Sequence, residues 1–180
     1  MTGGMAHGVD RGYQIQCRDV LIFREPRFQP YSADGIDVPF DFGGTTWKLD
    51  VALRAPEGEV LIAECRRQKN AVKQEDVLAF ATKVELLRKA LNVLVAGVFI
   101  AKREHQIGAI KVGAFAGITV AILAEGETAP GFAITFLRYD REREDRCRDV
   151  TLHVPPMRVD VRGGDADMRV GKTRVGGGNS

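Results

Sequence analysis

Two acidic residues sit inside otherwise apolar, β-rich runs: Asp50 in TWKLDVALR (residues 46–54) and Glu64 in VLIAECR (residues 60–66). Aspartate and glutamate are uncommon in strands, and carboxylates facing each other repel, so such a pair calls for a cation. The segment APEGE between the runs carries Pro56 and Gly58, which marks a turn and makes the runs a hairpin. The turn is centred near Glu57, so Asp50 and Glu64 stand equally far from it. They fall opposite each other on one face, with Cβ atoms ~5 Å apart. A register shift by one residue would undo this. Arg66 follows Glu64 by two positions and shares its face, and Lys48 shares the face of Asp50.

A hard divalent ion such as Mg²⁺ or Mn²⁺ suits this arrangement. It binds through one or two carboxylates plus water and a substrate phosphate, and a flanking base can neutralise charge on that phosphate. The competing structural reading is a solvated ion-pair group of Asp50 and Glu64 with Lys48 and Arg66. Arg66, Arg67, Lys69 and Lys73 form a basic group around the end of the second run, suited to phosphates or to a solvated helix entry. Lys83, Arg88 and Lys89 read as the wet side of a helix. His7, His105 and His153 are isolated and lack ligand spacing. Phe40, Phe42 and Trp47 could stack on a base, but Trp47 is expected in the core.

Several elements must position these residues. Residues 12–25 place Tyr13, Cys17, Val20, Leu21 and Arg24 on one side of a helix ended by Pro26, with strand as the competing assignment. Residues 26–45 hold three prolines and three glycines and read as a long loop with at most a short extended piece. Residues 71–91 form an amphipathic helix along Val77, Phe80 or Ala81, Val84, Leu87 and Leu91. VLVAGVFIA (93–101) is a strand covered on both faces. Residues 104–116 form a helix stopped by Gly117, and ITVAIL (118–123) is another buried strand. Residues 131–139 and 149–154 make a closing hairpin, with the charged run from Arg138 to Arg148 as a solvated loop. The order predicts an α/β fold: a mixed central sheet flanked by helices, with an extra C-terminal β-hairpin. The domain is expected over 12–160, after a loose leader (1–11) and before a flexible tail (163–180).

The stretch from Asp50 to Glu64-Cys65-Arg66-Arg67-Gln68, the helix after it and the run VLVAGVFIA resemble the PD-(D/E)xK nuclease superfamily. More narrowly, they are similar to the Mrr-type branch of restriction endonuclease-like proteins. In that branch an Asp on one strand precedes a triplet of acid or Gln, any residue, and Lys on the next. A helix, an apolar strand and an Ala-rich helix before a Gly-Ile strand follow, here GAIKVGAFAGITVAIL, so the resemblance covers residues 46–123. It implies a restriction endonuclease-like core and a metal-dependent endonuclease that hydrolyses phosphodiester bonds in DNA. Asp50 and Glu64 would hold Mg²⁺ or Mn²⁺, and Arg66 would complete the catalytic set. Gln68, Lys69 and Lys48 would be auxiliary, and Arg67, Lys69 and Lys73 would contact DNA. Arg66 stands at the lysine position, and arginine can steady a phosphate but stays charged. The alternative is therefore a weakened or inactive nuclease fold that binds nucleic acid or a protein partner. The family's first helix often supplies another acidic ligand. This chain has Gln14 and Gln16 there, with Asp19 and Glu25 beyond, and no assignment follows.

Composition narrows the class further. The 26 basic and 24 acidic residues leave a net charge of +2, so any nucleic-acid surface must be local. Cys17, Cys65 and Cys147 are far apart and form no CxxC pair, which points to reduced thiols rather than zinc or disulfides. No run is long and apolar enough for a membrane span, and the first residues lack a signal-peptide pattern. A cytoplasmic, soluble protein is expected, and target specificity would have to come from a partner protein or a homodimer mate.

Overall fold

A computed structural model describes residues 4–125 and 131–154. The chain runs α1 (Gly4–Arg24), β1 (Gln29–Pro30), β2 (Ile36–Phe42), β3 (Thr45–Arg54), β4 (Val60–Arg66), α2 (Gln74–Leu91), β5 (Val95–Ala101), α3 (Ile107–Ala116), β6 (Ile118–Glu125), β7 (Phe132–Asp140) and β8 (Asp145–Val154). The strands form one mixed sheet in the order β1-β3-β4-β5-β6-β7-β8, with β2 beside β1 on the same edge of β3. Strands β4, β5 and β6 are mutually parallel and the other neighbours antiparallel. The expected mixed sheet flanked by helices is present, and the closing hairpin extends it as β7 and β8. Among the described residues no helix is long and apolar enough to cross a membrane.

Each face of the sheet has its own core, because apolar residues alternate along β4 and β5. Leu61, Ala63, Val98 and Ile100 pack with Tyr13, Cys17, Val20 and Leu21 of α1. Val60, Ile62, Val95 and Phe99 pack with Val77, Phe80, Val84 and Leu87 of α2 and Ala109 of α3. The sequence reading of the buried face of α1 holds, and strand is excluded there. Gly97 in β5 lets α2 approach: a Cβ at that position would meet Val84 Cγ2 at 2.7 Å and Ile118 Cδ1 at 2.8 Å.

Four expectations change. α1 begins at Gly4, so most of the expected leader has a helical backbone. The long loop contains a seven-residue strand, β2, paired with β3 from Ile36↔Val51 to Phe42↔Thr45. Pro39 disguised it, and it is tolerated because β2 is an edge strand. Trp47 is half-buried rather than in the core and packs on Phe42 with centroids 5.4 Å apart. The β3–β4 ladder runs only from Val51↔Ala63 to Arg54↔Val60, so the start of β3 reaches past the body with β2 for company. The charged run is loop only at 141–144, and β8 resumes at Asp145. The expected tail, 163–180, lies outside the described residues.

Candidate active site

The β3–β4 register matches the spacing argument. Its pairs, from Arg54↔Val60 to Val51↔Ala63, lead directly to Asp50 and Glu64 as the next opposed positions. The backbone ladder ends just before them. In its place the Cys65 N–H donates to Asp50 Oδ2 at 2.7 Å. The strands thus part into a fork, and the Asp50 carboxylate fills the gap, one peptide from Glu64. The other arm of the fork is anchored by Cys65, whose side chain packs against the α1-side core that contains Cys17.

Each acid is met by a different helix. From α1, Gln14 Nε2 donates to Asp50 Oδ1 at 3.2 Å and to Asp37 Oδ1 at 3.2 Å. From α2, Lys83 Nζ donates to Glu64 Oε2 at 2.9 Å, while the Arg66 guanidinium lies 2.7 Å from Glu64 Oε1. The Glu64 side chain is 10% exposed, against 25% for Lys83 and 48% for Arg66. Asp50 and Glu64 with Arg66 and Lys83 sum to no net formal charge.

Burial of the Asp50 carboxyl pushes it above the usual carboxylate range. The Cys65 N–H pulls it back, the charge of Glu64 adds to the rise, and Arg66 and Lys83 oppose it. Desolvation without a strong cation on Asp50 itself is the physical cause.

Of the residues expected at the site, Asp50, Glu64 and Arg66 come together. Arg67 and Lys69 are exposed on the loop after β4, and Gln68 is half-buried there. Lys73 is exposed at the entry of α2, where its N–H donates to Asp76 Oδ2 at 3.1 Å. Lys48 is exposed on β3 across from Pro39. Among the described residues, neither Lys48 nor Lys69 bonds to either acid. His105 is buried against Phe99, and His153 is exposed.

Lys83 was misread as the wet side of its helix. It follows Phe80 by three positions and precedes Leu87 by four, and both are buried. That spacing sets it on the border of the buried stripe, a signal the sequence contained. Gln14 sits one residue after buried Tyr13 and is itself 9% exposed. Asp37 was not singled out. Its φ of 51° is uncommon for a residue other than glycine, though aspartate tolerates it better than most.

No family model matches the chain, and no curated protein is significantly similar to it. Solved structures are similar over part of their length. A repair endonuclease from Pyrococcus abyssi shares 22% identity over 59% of this chain and 45% of its own, with a TM-score of 0.44. EndoMS in a complex with double-stranded DNA shares 20% over 64% and 46%, with a TM-score of 0.45. EndoMS in its apo form shares 23% over 58% and 42%, with a TM-score of 0.38. The chain spans less than half the length of each. At such likeness the chemistry has to be read from this chain's own residues.

Proposed function

We propose that this chain is a metal-dependent endonuclease-type protein that hydrolyses phosphodiester bonds in DNA. The observation that carries it is the fork at Asp50 and Glu64, where two acids of adjacent strands meet beside two cationic side chains.

The donor set fits a hard divalent ion. Every oxygen of the two carboxylates has a partner, from Gln14, Cys65, Arg66 or Lys83. Each carboxylate oxygen has room for another, and burial of Asp50 leaves a charge that a cation would relieve. Among the described residues no group of three or more acids, cysteines or histidines could hold a metal. Asp50 and Glu64 would supply two ligands to Mg²⁺ or Mn²⁺, and water and substrate phosphate would have to complete its shell. When bound, the ion supplies Lewis acidity and a more acidic water.

The protein's own groups do the rest. Arg66, half-exposed and fixed by Glu64, presents guanidinium N–H groups to a phosphate oxygen and offsets charge gathering there. Lys83 contributes an ammonium at the same carboxylate, from the helix rather than from the strand position where the family carries its lysine. Arg67, Lys69 and Lys73 supply exposed positive charge along the path of a nucleic-acid backbone. Gln68 is the remaining candidate for a polar contact to it. A partner protein or a second copy would supply target specificity.

The test is plasmid DNA incubated with Mg²⁺ or Mn²⁺, alongside Asp50→Ala and Glu64→Ala. Cleavage that disappears in both variants supports the proposal. Retention of DNA without cleavage, under either ion, transfers the chain to a second reading: a binding domain on a silenced nuclease fold. That reading is favoured by one feature, the pairing of both Glu64 oxygens with the protein's own cations, Arg66 and Lys83. Cleavage unaffected by either substitution would remove the fork from the chemistry.

A further inference from the structure

Asp50 has an acidic neighbour on its other side. The β2–β3 pairs Ile36↔Val51 and Val38↔Leu49 bracket Asp37 opposite Asp50. Asp37, Asp50 and Glu64 thus stand on three adjacent strands. The left-handed backbone at Asp37 takes that residue out of the ladder. Between Asp37 and Asp50 lies the Gln14 amide, with Nε2 3.2 Å from one oxygen of each. Both neighbours are carboxylates, so the nitrogen rather than the oxygen must face them.

From this geometry we infer that Gln14 limits the site to a single divalent ion, which rests on the proposal that Asp50 and Glu64 hold one. An ion shared by Asp37 and Asp50 would need oxygens about 2.0–2.6 Å away. The amide nitrogen already has the place between those oxygens, and its two N–H groups serve one carboxylate each. Gln14 cannot easily swing out. It is buried, and its helix is fastened to the segment before β2: Arg18 donates to the Asp34 carbonyl at 3.0 Å, and Arg11 pairs with the Asp34 carboxylate at 2.6 Å. The remaining charge of Asp37 is met by Arg11 at 3.3 Å. Gln14 is a positioning residue: it holds Asp50 toward Cys65 and Glu64 and does to Asp37 what a second cation would do.

The experiment is a Mn²⁺ titration of the full chain, followed by calorimetry and by the paramagnetic signal of free Mn²⁺. The wild type should bind one ion. Gln14→Glu replaces the neutral donor with a third carboxylate between the other two and should bind two. Its melting temperature should fall without Mn²⁺ and recover on adding it, which a purely structural role for Gln14 does not produce. If Gln14→Glu does not fold, Gln14→Ser vacates the same place and should admit a weaker second ion. Two ions in the wild type overturn the inference and leave the Asp50–Glu64 site standing. One ion in the wild type and in both variants also overturns it alone. No ion in the wild type removes the inference and the metal-site proposal together.

Discussion

Lys83 Nζ lies 2.9 Å from Glu64 Oε2 and so ties the middle of α2 to the end of β4. The pair lies where exposed and buried ion pairs would behave differently. Exposed pairs contribute about 0–1 kcal/mol, and breaking buried ones costs about 3–5 kcal/mol. Glu64 keeps Arg66 as a second partner, so Lys83→Met should cost on the order of 1–2 kcal/mol, read from urea unfolding. The same variant should lose more cleavage than Lys48→Met. Equal losses in both would remove Lys83 from the site.

Arg66 stands where the nuclease pattern that the sequence resembles has lysine, and an arginine stays charged. Arg66→Lys should raise the cleavage rate, while Arg66→Ala should lower it. A well-placed proton-transfer group contributes about 10²–10⁴-fold, which bounds the gain. A rate from Arg66→Lys at or below the wild type would mean that Lys83 already fills the role.

The folded protein holds the Asp50 proton more tightly than the unfolded chain, because burial raises the carboxyl above its ordinary value. Stability therefore falls as pH rises through the interval between the two values, and it is recovered below that interval. Asp50→Asn should flatten this part of the stability profile in metal-free buffer. Metal binding runs the other way, since the ion needs the carboxylate. Affinity for Mn²⁺ should drop as pH is lowered through the raised value, approaching about tenfold per pH unit for one displaced proton. Affinity that ignores pH would exclude Asp50 as a ligand.

Charge on the loop after β4 should set DNA affinity without setting its chemistry. Arg67→Glu with Lys69→Glu should weaken DNA retention at constant ion concentration. The salt dependence should flatten by about 0.9 in log–log slope for each phosphate that is no longer neutralised. An unchanged slope would send the DNA path elsewhere.

Packing at Gly97 offers a test of the fold itself. A methyl there would press on Val84 and Ile118. Gly97→Ala should cost about 1–3 kcal/mol through overpacking, measured by thermal or urea unfolding.

The hairpin was legible because Pro56 and Gly58 fixed its turn and the strands beside it were rich in Val, Leu and Ile. The turn carried the register as far as Val51↔Ala63. What the sequence hid was the point where pairing stops, since the Asp50 side chain takes over the Cys65 N–H in place of a backbone carbonyl. β2 was obscured by Pro39 and by the prolines and glycines around it, which are loop signals that an edge strand nonetheless permits. Lys83 was visible in principle, being on the margin of a stripe whose centre was correctly drawn. Gln14 lies far from the hairpin in sequence, and only the docking of α1 brings it there, whereas Asp37 arrives through the pairing of β2 with β3.

The two loops that leave β4 and β5 are joined. Val72 bridges His105, its N–H bonds the Glu104 carbonyl at 3.1 Å, and the Gln106 N–H bonds the Val72 carbonyl at 2.9 Å. A further bond from Lys102 to the Arg66 carbonyl, 3.0 Å long, closes the bracket just beyond Glu64. The rim just beyond Glu64 is thus one laced ribbon rather than two separate flaps. Any insertion on one side must drag the other with it, and whatever approaches the fork meets a threshold of fixed height.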